Sequence, residues 1–264
     1  MSVWDVYQSR SETRGTTKRA TQLKREIRTI DNHLPDSLSY QSVTIYTAEN
    51  GYNIGSEYAQ ANAISQNVAI INSDNLNEKT IISLPEDDIE HGSLVYWMDN
   101  YWLVTERDAN TTVYTRAKMI QCNHLLRWVS KDDEIIEQWC IIEDGTKYLT
   151  GEYEDRNFIV TRGDSRISMT IARNKETVRL NRYDRFIIDD TDSPLPLAYS
   201  LTKPLKLGGA YNNMGVFKFV LQEVVTTDDD NLDYRIADYY KHFVNSSPSP
   251  TTTEDDTTGK KVWL

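Results

Sequence analysis

The stretch Leu94-Val95-Tyr96-Trp97-Met98-Asp99-Asn100-Tyr101-Trp102-Leu103-Val104 constrains the fold more than any other part of this 264-residue chain. Two short runs of aliphatic and aromatic side chains flank a polar break at Asp99-Asn100, and that pattern reads as a β-hairpin. Bulky and β-branched side chains pack well on a pleated surface, so runs like these favour strands over helices. Tyr96, Trp97, Tyr101, Trp102, Trp128 and Trp139 all crowd into this part of the chain. Alternate strand positions face opposite ways, so one set of these rings should fill a core. A small domain cannot comfortably hide the rest, which makes Trp97 and Trp102 candidates for an interface, where Trp and Tyr are enriched.

Strand patterns continue on both sides. Ser42 to Tyr46 alternates polar and apolar, and Val68–Ile71 and Thr80–Leu84 are short strand candidates. Thr111–Thr115 and Met119–Val129 read as strands, the second pairing with Glu134–Ile142 across the polar turn Ser130-Lys131-Asp132-Asp133. Glu49 to Asn67 is polar and rich in Gly, Asn and Ala, and is expected to be a long exposed loop available for contacts. A second block follows Gly151, with strands expected at Phe158–Val160, Arg166–Ile171, Arg185–Ile188, Leu197–Thr202 and Gly215–Val225. Strands this closely spaced suggest small barrels or sandwiches. The expected organisation is mainly β. A basic helical arm occupies residues 1–38, a first barrel-like domain 39–150, a second β domain 151–244, and a flexible tail with an apolar tip 245–264.

In the arm, Leu23, Ile27 and Ile30 recur at helical spacing, Thr16 or Thr17 can cap the helix, and Pro35 ends it. Seven Lys or Arg residues fall between Arg10 and Arg28. Arg14, Lys18, Arg19, Lys24, Arg25 and Arg28 are therefore candidates for contact with an acidic partner or nucleic acid; a simply solvated helix face explains the same charges. The tail from Asn245 to Thr258 is rich in Ser, Thr, Pro and Asp, then closes on Lys260-Lys261-Val262-Trp263-Leu264. Trp263 and Leu264 read either as a tethered docking tip or as a frayed terminus.

Catalytic signatures are missing. Acidic residues outnumber basic ones, 40 to 29, giving a net charge of -11, whereas a nucleic-acid coat would be basic. His33, His91, His124 and His242 have no partners at metal-ligand spacing. Cys122 and Cys140 lack a C-x-x-C arrangement and are expected to be buried free thiols. No Walker loop or G-x-S-x-G elbow occurs. The acidic runs Asp87-Asp88, Asp132-Asp133-Glu134, Asp189-Asp190 and Asp228-Asp229-Asp230 sit at expected turns, where solvation accounts for them. No apolar run approaches the roughly 20 residues that span a bilayer. The expectation is a non-enzymatic protein with no cofactor, no metal and no membrane contact.

Three stretches carry a resemblance. They are Gly92 to Thr105; Ala117 to Trp128, with its Cys-Asn-x-x-Leu-x-Trp pattern; and Asn231 to Tyr240. Over roughly residues 85–240 the chain resembles the head–tail connector proteins of tailed bacteriophages, also called head-completion, stopper or neck proteins. The resemblance implies a homo-oligomeric ring, dodecameric or hexameric, between the portal or a portal-bound adaptor and the tail terminator. Packaged DNA would pass through its channel, and the ring would help to retain that DNA and to attach the tail. It implies a virion protein assembled in the host cytoplasm. A tail terminator, another tail structural protein, or a non-catalytic host- or carbohydrate-binding β module are the alternatives.

Overall fold

The computed structural model describes residues 3–14, 17–84, 87, 89–108, 113–144, 165–189, 193–206, 210–211 and 214–243. The strand expected at Phe158–Val160 and the tail with Trp263 and Leu264 lie outside the described residues, as does the side chain of Arg14.

Two helices lead the chain, α1 (Val3–Arg14) and α2 (Lys18–His33). Six strands follow: β1 (Tyr40–Tyr46), β2 (Ile64–Asn72), β3 (Glu78–Ser83), β4 (Leu94–Trp97), β5 (Asn100–Asp108) and β6 (Thr115–Gln121). They pair antiparallel in the order β1-β2-β3-β6-β5-β4, and Ile45 of β1 lies opposite Val95 of β4 to close a barrel. Closure leaves no unpaired strand edge. The β4–β5 turn is Met98–Asp99, with φ of 47° and 59°, and Trp97 faces Asn100. Two positive φ values in a two-residue turn match the twist of the strands they join. The turn thus falls one residue earlier than the polar break suggests.

The second sheet holds β7 (His124–Val129), β8 (Ile135–Asp144), β9 (Arg166–Ala172), β10 (Arg185–Ile187), β11 (Ala198–Leu205) and β13 (Met214–Val224). Its order is β10-β11-β13-β9-β8-β7, and the two-residue β12 (Ala210–Tyr211) pairs with β13. The sheet curls until its outer strands meet, Trp128 of β7 against Phe186 of β10, edge to face at 6.4 Å. Met169, Ile171, Phe186, Phe217, Phe219 and Leu221 are among the buried side chains at its centre.

The change of sheet falls at Cys122-Asn123, inside the run Met119–Val129 that reads as one strand. The Cys122 amide still donates to the barrel, at Tyr101 O (2.8 Å), while the Asn123 amide donates to Cys140 O of β8 (3.2 Å). Asn123 also uses its side chain as a substitute backbone, donating to Ile142 O (2.7 Å) and accepting from Ile142 N (2.8 Å). The strand Ile135–Asp144, grouped by sequence with the first block, therefore belongs to the second sheet.

The hairpin β4–β5 is buried on both faces. Val95, Trp102 and Val104 point into the barrel, while Leu94 and Leu103 point out onto Ile141, Ala172 and Val216 of the second sheet. Side-chain alternation at period two produces this division. The excess of aromatic and aliphatic groups is taken up by a seam within the chain. Gly92 (φ +91°) completes the seam, because a Cβ there would lie 2.3 Å from Gly215 O.

Glu49 to Asn67 is not one exposed loop. Tyr52 bridges to Gln138 of β8, and Asn53 exchanges two hydrogen bonds with Glu137, at 2.7 and 2.6 Å. A short helix α3 (Glu57–Ala61) follows, and Ile64–Asn67 already pairs with β1. Polar side chains here serve backbone pairing across the seam, and composition alone did not distinguish that from solvation.

Candidate functional site

The arm is built from local signals. Thr17 caps α2, its Oγ1 accepting from the Ala20 amide at 3.1 Å, which satisfies one of the orphan donors at a helix start. Lys18, Arg19, Lys24, Arg25 and Arg28 are all exposed. Leu23, Ile27 and Ile30 line one face but stay only half-buried, and no residue of α2 is buried. In α1, Trp4 and Tyr7 stack at 5.6 Å yet remain 64% and 63% exposed. The arm therefore presents cations beside a half-covered apolar stripe on α2 and two exposed rings on α1.

The other candidate tryptophans are placed differently. Trp102 is buried in the barrel core, so it serves packing rather than an exposed contact. It lies inward because it shares a strand face with Val104. Trp97 is half-buried against the same core and donates from Nε1 to Gln41 Oε1 at 2.6 Å. Tyr101 lies between Tyr96 (5.0 Å) and Trp139 (4.9 Å, stacked) beside a groove of about 260 Å³ that Ile54 and Leu125 help to line. With Trp139 stacked on Tyr101, that ring is no open flat platform for a sugar.

A site that sequence reasoning missed lies at the end of the second sheet. Of the run Asp228-Asp229-Asp230, read as solvated, Asp230 is buried. Arg185 of β10 grips it with two hydrogen bonds, at 3.0 and 2.8 Å, and reaches Asp238 at 2.8 Å. The amides of Thr227 and Asp238 also donate to Asp230, at 2.7 and 2.8 Å. Burial alone would raise the Asp230 pKa, but the two amides and the guanidinium outweigh it and hold the carboxyl below its ordinary value. This clasp fastens residues 226–243, including the short helix α4 (Tyr239–His242), onto β10. A cleft of about 200 Å³ opens beside it, lined by Trp128, Arg179, Asp184, Arg185 and His242 among others. An isolated acidic run gives no sign of its buried member; the signal was an arginine at the start of a distant strand.

Cys122 and Cys140 are buried free thiols, their pKa values pushed up by burial, which makes them poor nucleophiles. Burial lowers the pKa of His124, helped by Arg235 and Arg127, and likewise lowers that of His91, whose Nε2 meets Thr105 O at 2.7 Å. His242 Nδ1 meets Asp133 Oδ1 at 2.8 Å. Among the described residues, no group of three or more His, Cys, Asp or Glu is placed to hold a metal. No helix among them is long and apolar enough to cross a membrane.

Fold and surfaces together define a two-sheet β protein with a cationic helical arm. Residues 25–121 match the family model of the YomX N-terminal domain, a phage-associated family. The match begins inside α2 and ends on the last residue of β6, so it spans the end of the arm and the whole closed barrel. Gly92 to Thr105 falls within it; the Cys-Asn pattern that starts the second sheet falls just outside. No curated protein and no solved structure matches the chain.

Proposed function

We propose that this chain is a structural, non-catalytic virion protein that forms a ring in the phage neck, between the portal or its adaptor and the tail. The observation that carries the reading is the arm: a capped, cationic helix with an apolar stripe, none of whose residues is buried. A helix gains most of its stability from packing its apolar face, so a stripe left only half-buried beside a well-packed body calls for a partner. The barrel and second sheet supply the rigid body, joined by an apolar seam and by hydrogen bonds from the Glu137 and Ile142 amides to the side chains of Asn53 and Asn123. The phage association of residues 25–121 supplies the context. In this reading packaged DNA passes through the channel, and the net charge of -11 limits sticking to phosphate.

Light scattering coupled to size-exclusion chromatography, with the chain alone and mixed with portal, tests the proposal. A ring or a stable portal complex is expected. A chain that stays monomeric and elutes apart from portal at micromolar concentration overturns it.

A further inference from the structure

We propose that the helical arm of one copy docks on the acidic, aromatic C-terminal segment, residues 226–243, of a second copy. This rests on the assembly role proposed above and names the two faces that meet. The arm carries seven Lys or Arg between Arg10 and Arg28 against five acids, Asp5, Glu12, Glu26, Asp31 and Asp36. Of the segment's five aspartates, Asp230 and Asp238 are held by Arg185, and the segment also contains Arg235 and Lys241. Lys241 is engaged within the segment, 2.6 Å from Asp238 and 3.6 Å from Asp229. Asp228 and Asp233 remain exposed. The charges of the two faces are therefore opposite.

Apolar groups accompany the charges on both sides. Tyr234, 58% exposed, lies 5.9 Å from the ring of Tyr239, which is 4.7 Å from that of Phe243. Val225 is 84% exposed beside them in sequence. On the arm, Trp4 and Tyr7 are exposed, and Leu23, Ile27 and Ile30 are half-buried. A nucleic acid would neutralise the arm's cations but leave these side chains wet; an acidic surface bearing tyrosines covers both. The Arg185–Asp230 clasp keeps the segment in one conformation before a partner arrives, which lowers the ordering cost of association. The arm leads into the barrel and the segment is fastened to β10 of the second sheet, so the contact joins two different patches. Such a heterologous contact, repeated, closes into a ring or runs on as a filament.

The test uses the full chain and exposed positions. Lys18→Glu, Lys24→Glu and Arg25→Glu together reverse the arm; Asp228→Lys and Asp233→Lys reverse the segment. Each set alone is expected to weaken self-association at least about tenfold, and the two combined to recover most of it, as a coupled pair does. Zero-length carbodiimide coupling of mixed ¹⁴N and ¹⁵N chains is expected to give hybrid links between Lys18 or Lys24 and Asp228 or Asp233. Unchanged melting shows that the variants are folded. Oligomers indifferent to both reversals, or a folded combination that does not recover, overturn the inference and leave the neck reading standing. A lone chain that is always monomeric also overturns it, with the portal mixture still deciding the neck reading. Arm reversal that abolishes duplex DNA binding without altering oligomeric state assigns the arm to DNA and overturns it as well.

Discussion

The hairpin β4–β5 and the helix α2 put their apolar groups to opposite use. The hairpin has them on both faces, and the chain covers both, the barrel core on one side and the second sheet on the other. The helix has a single stripe at Leu23, Ile27 and Ile30, and the chain covers it only in part. The difference separates what the molecule needs to stand alone from what it keeps for contact. Covered apolar surface stabilises the monomer at about 25 cal/mol per Å², whereas uncovered surface contributes only when something binds.

The largest effects should therefore come from the seam. Leu103→Ala removes a side chain with no exposure from between the two sheets, and about 3–5 kcal/mol of unfolding free energy should be lost in urea titrations. A loss below about 1 kcal/mol would mean that the seam opens at little cost and that the sheets are independent units. Gly92→Ala should follow at about 2–4 kcal/mol, since it combines a positive φ with a Cβ 2.3 Å from the Gly215 carbonyl oxygen. Wild-type stability in that variant would show that the close approach relaxes freely.

Asp230→Asn probes the clasp, with about 2–3 kcal/mol expected at neutral pH because a charge-assisted, bidentate contact is lost while Asp238 still faces Arg185. The sign with pH follows from the depressed folded pKa. The contribution of Asp230 is complete above the ordinary carboxylate value of 3.8 and is lost as pH falls through the lower folded value. The gap between wild type and variant should therefore narrow on acidification below about pH 4. A gap that widens there would contradict a carboxylate held ionised by its partners.

What the sequence disclosed follows the same division. The hairpin, a cap at Thr16 or Thr17 and β9 were legible because local periodicity and capping chemistry determine them. The change of sheet at Cys122-Asn123 was not, because alternation runs unbroken from Met119 to Val129 and only hydrogen-bond partners change. Trp102 looked like a surface candidate because a strand pattern tells which residues share a face, not which face is inside. Asp230 looked solvated among its neighbours, since its partner Arg185 is remote in sequence. Lys18, Arg19, Lys24, Arg25 and Arg28, by contrast, are exposed on α2, and exposure of a charged helix face requires no tertiary knowledge.

The smallest effect on the monomer is expected from Ile27→Asp, and it bears most directly on the contrast with the hairpin. Ile27 is half-buried on a helix with no buried residue, so its loss removes little cover. Asp costs a helix interior only slightly more than Ile, and surface changes usually stay within about 0.5 kcal/mol. The thermal midpoint of dilute protein should move by no more than about 1–2 °C, given about 2–4 °C per kcal/mol for a chain of roughly this size. Self-association and portal binding should fall sharply in the same variant, because the carboxylate would have to be desolvated against an apolar contact. A large drop in the dilute midpoint would show that the chain itself already uses the stripe, and the distinction between the covered hairpin and the uncovered arm would collapse. A stable monomer that no longer assembles would fix the arm as surface reserved for a partner.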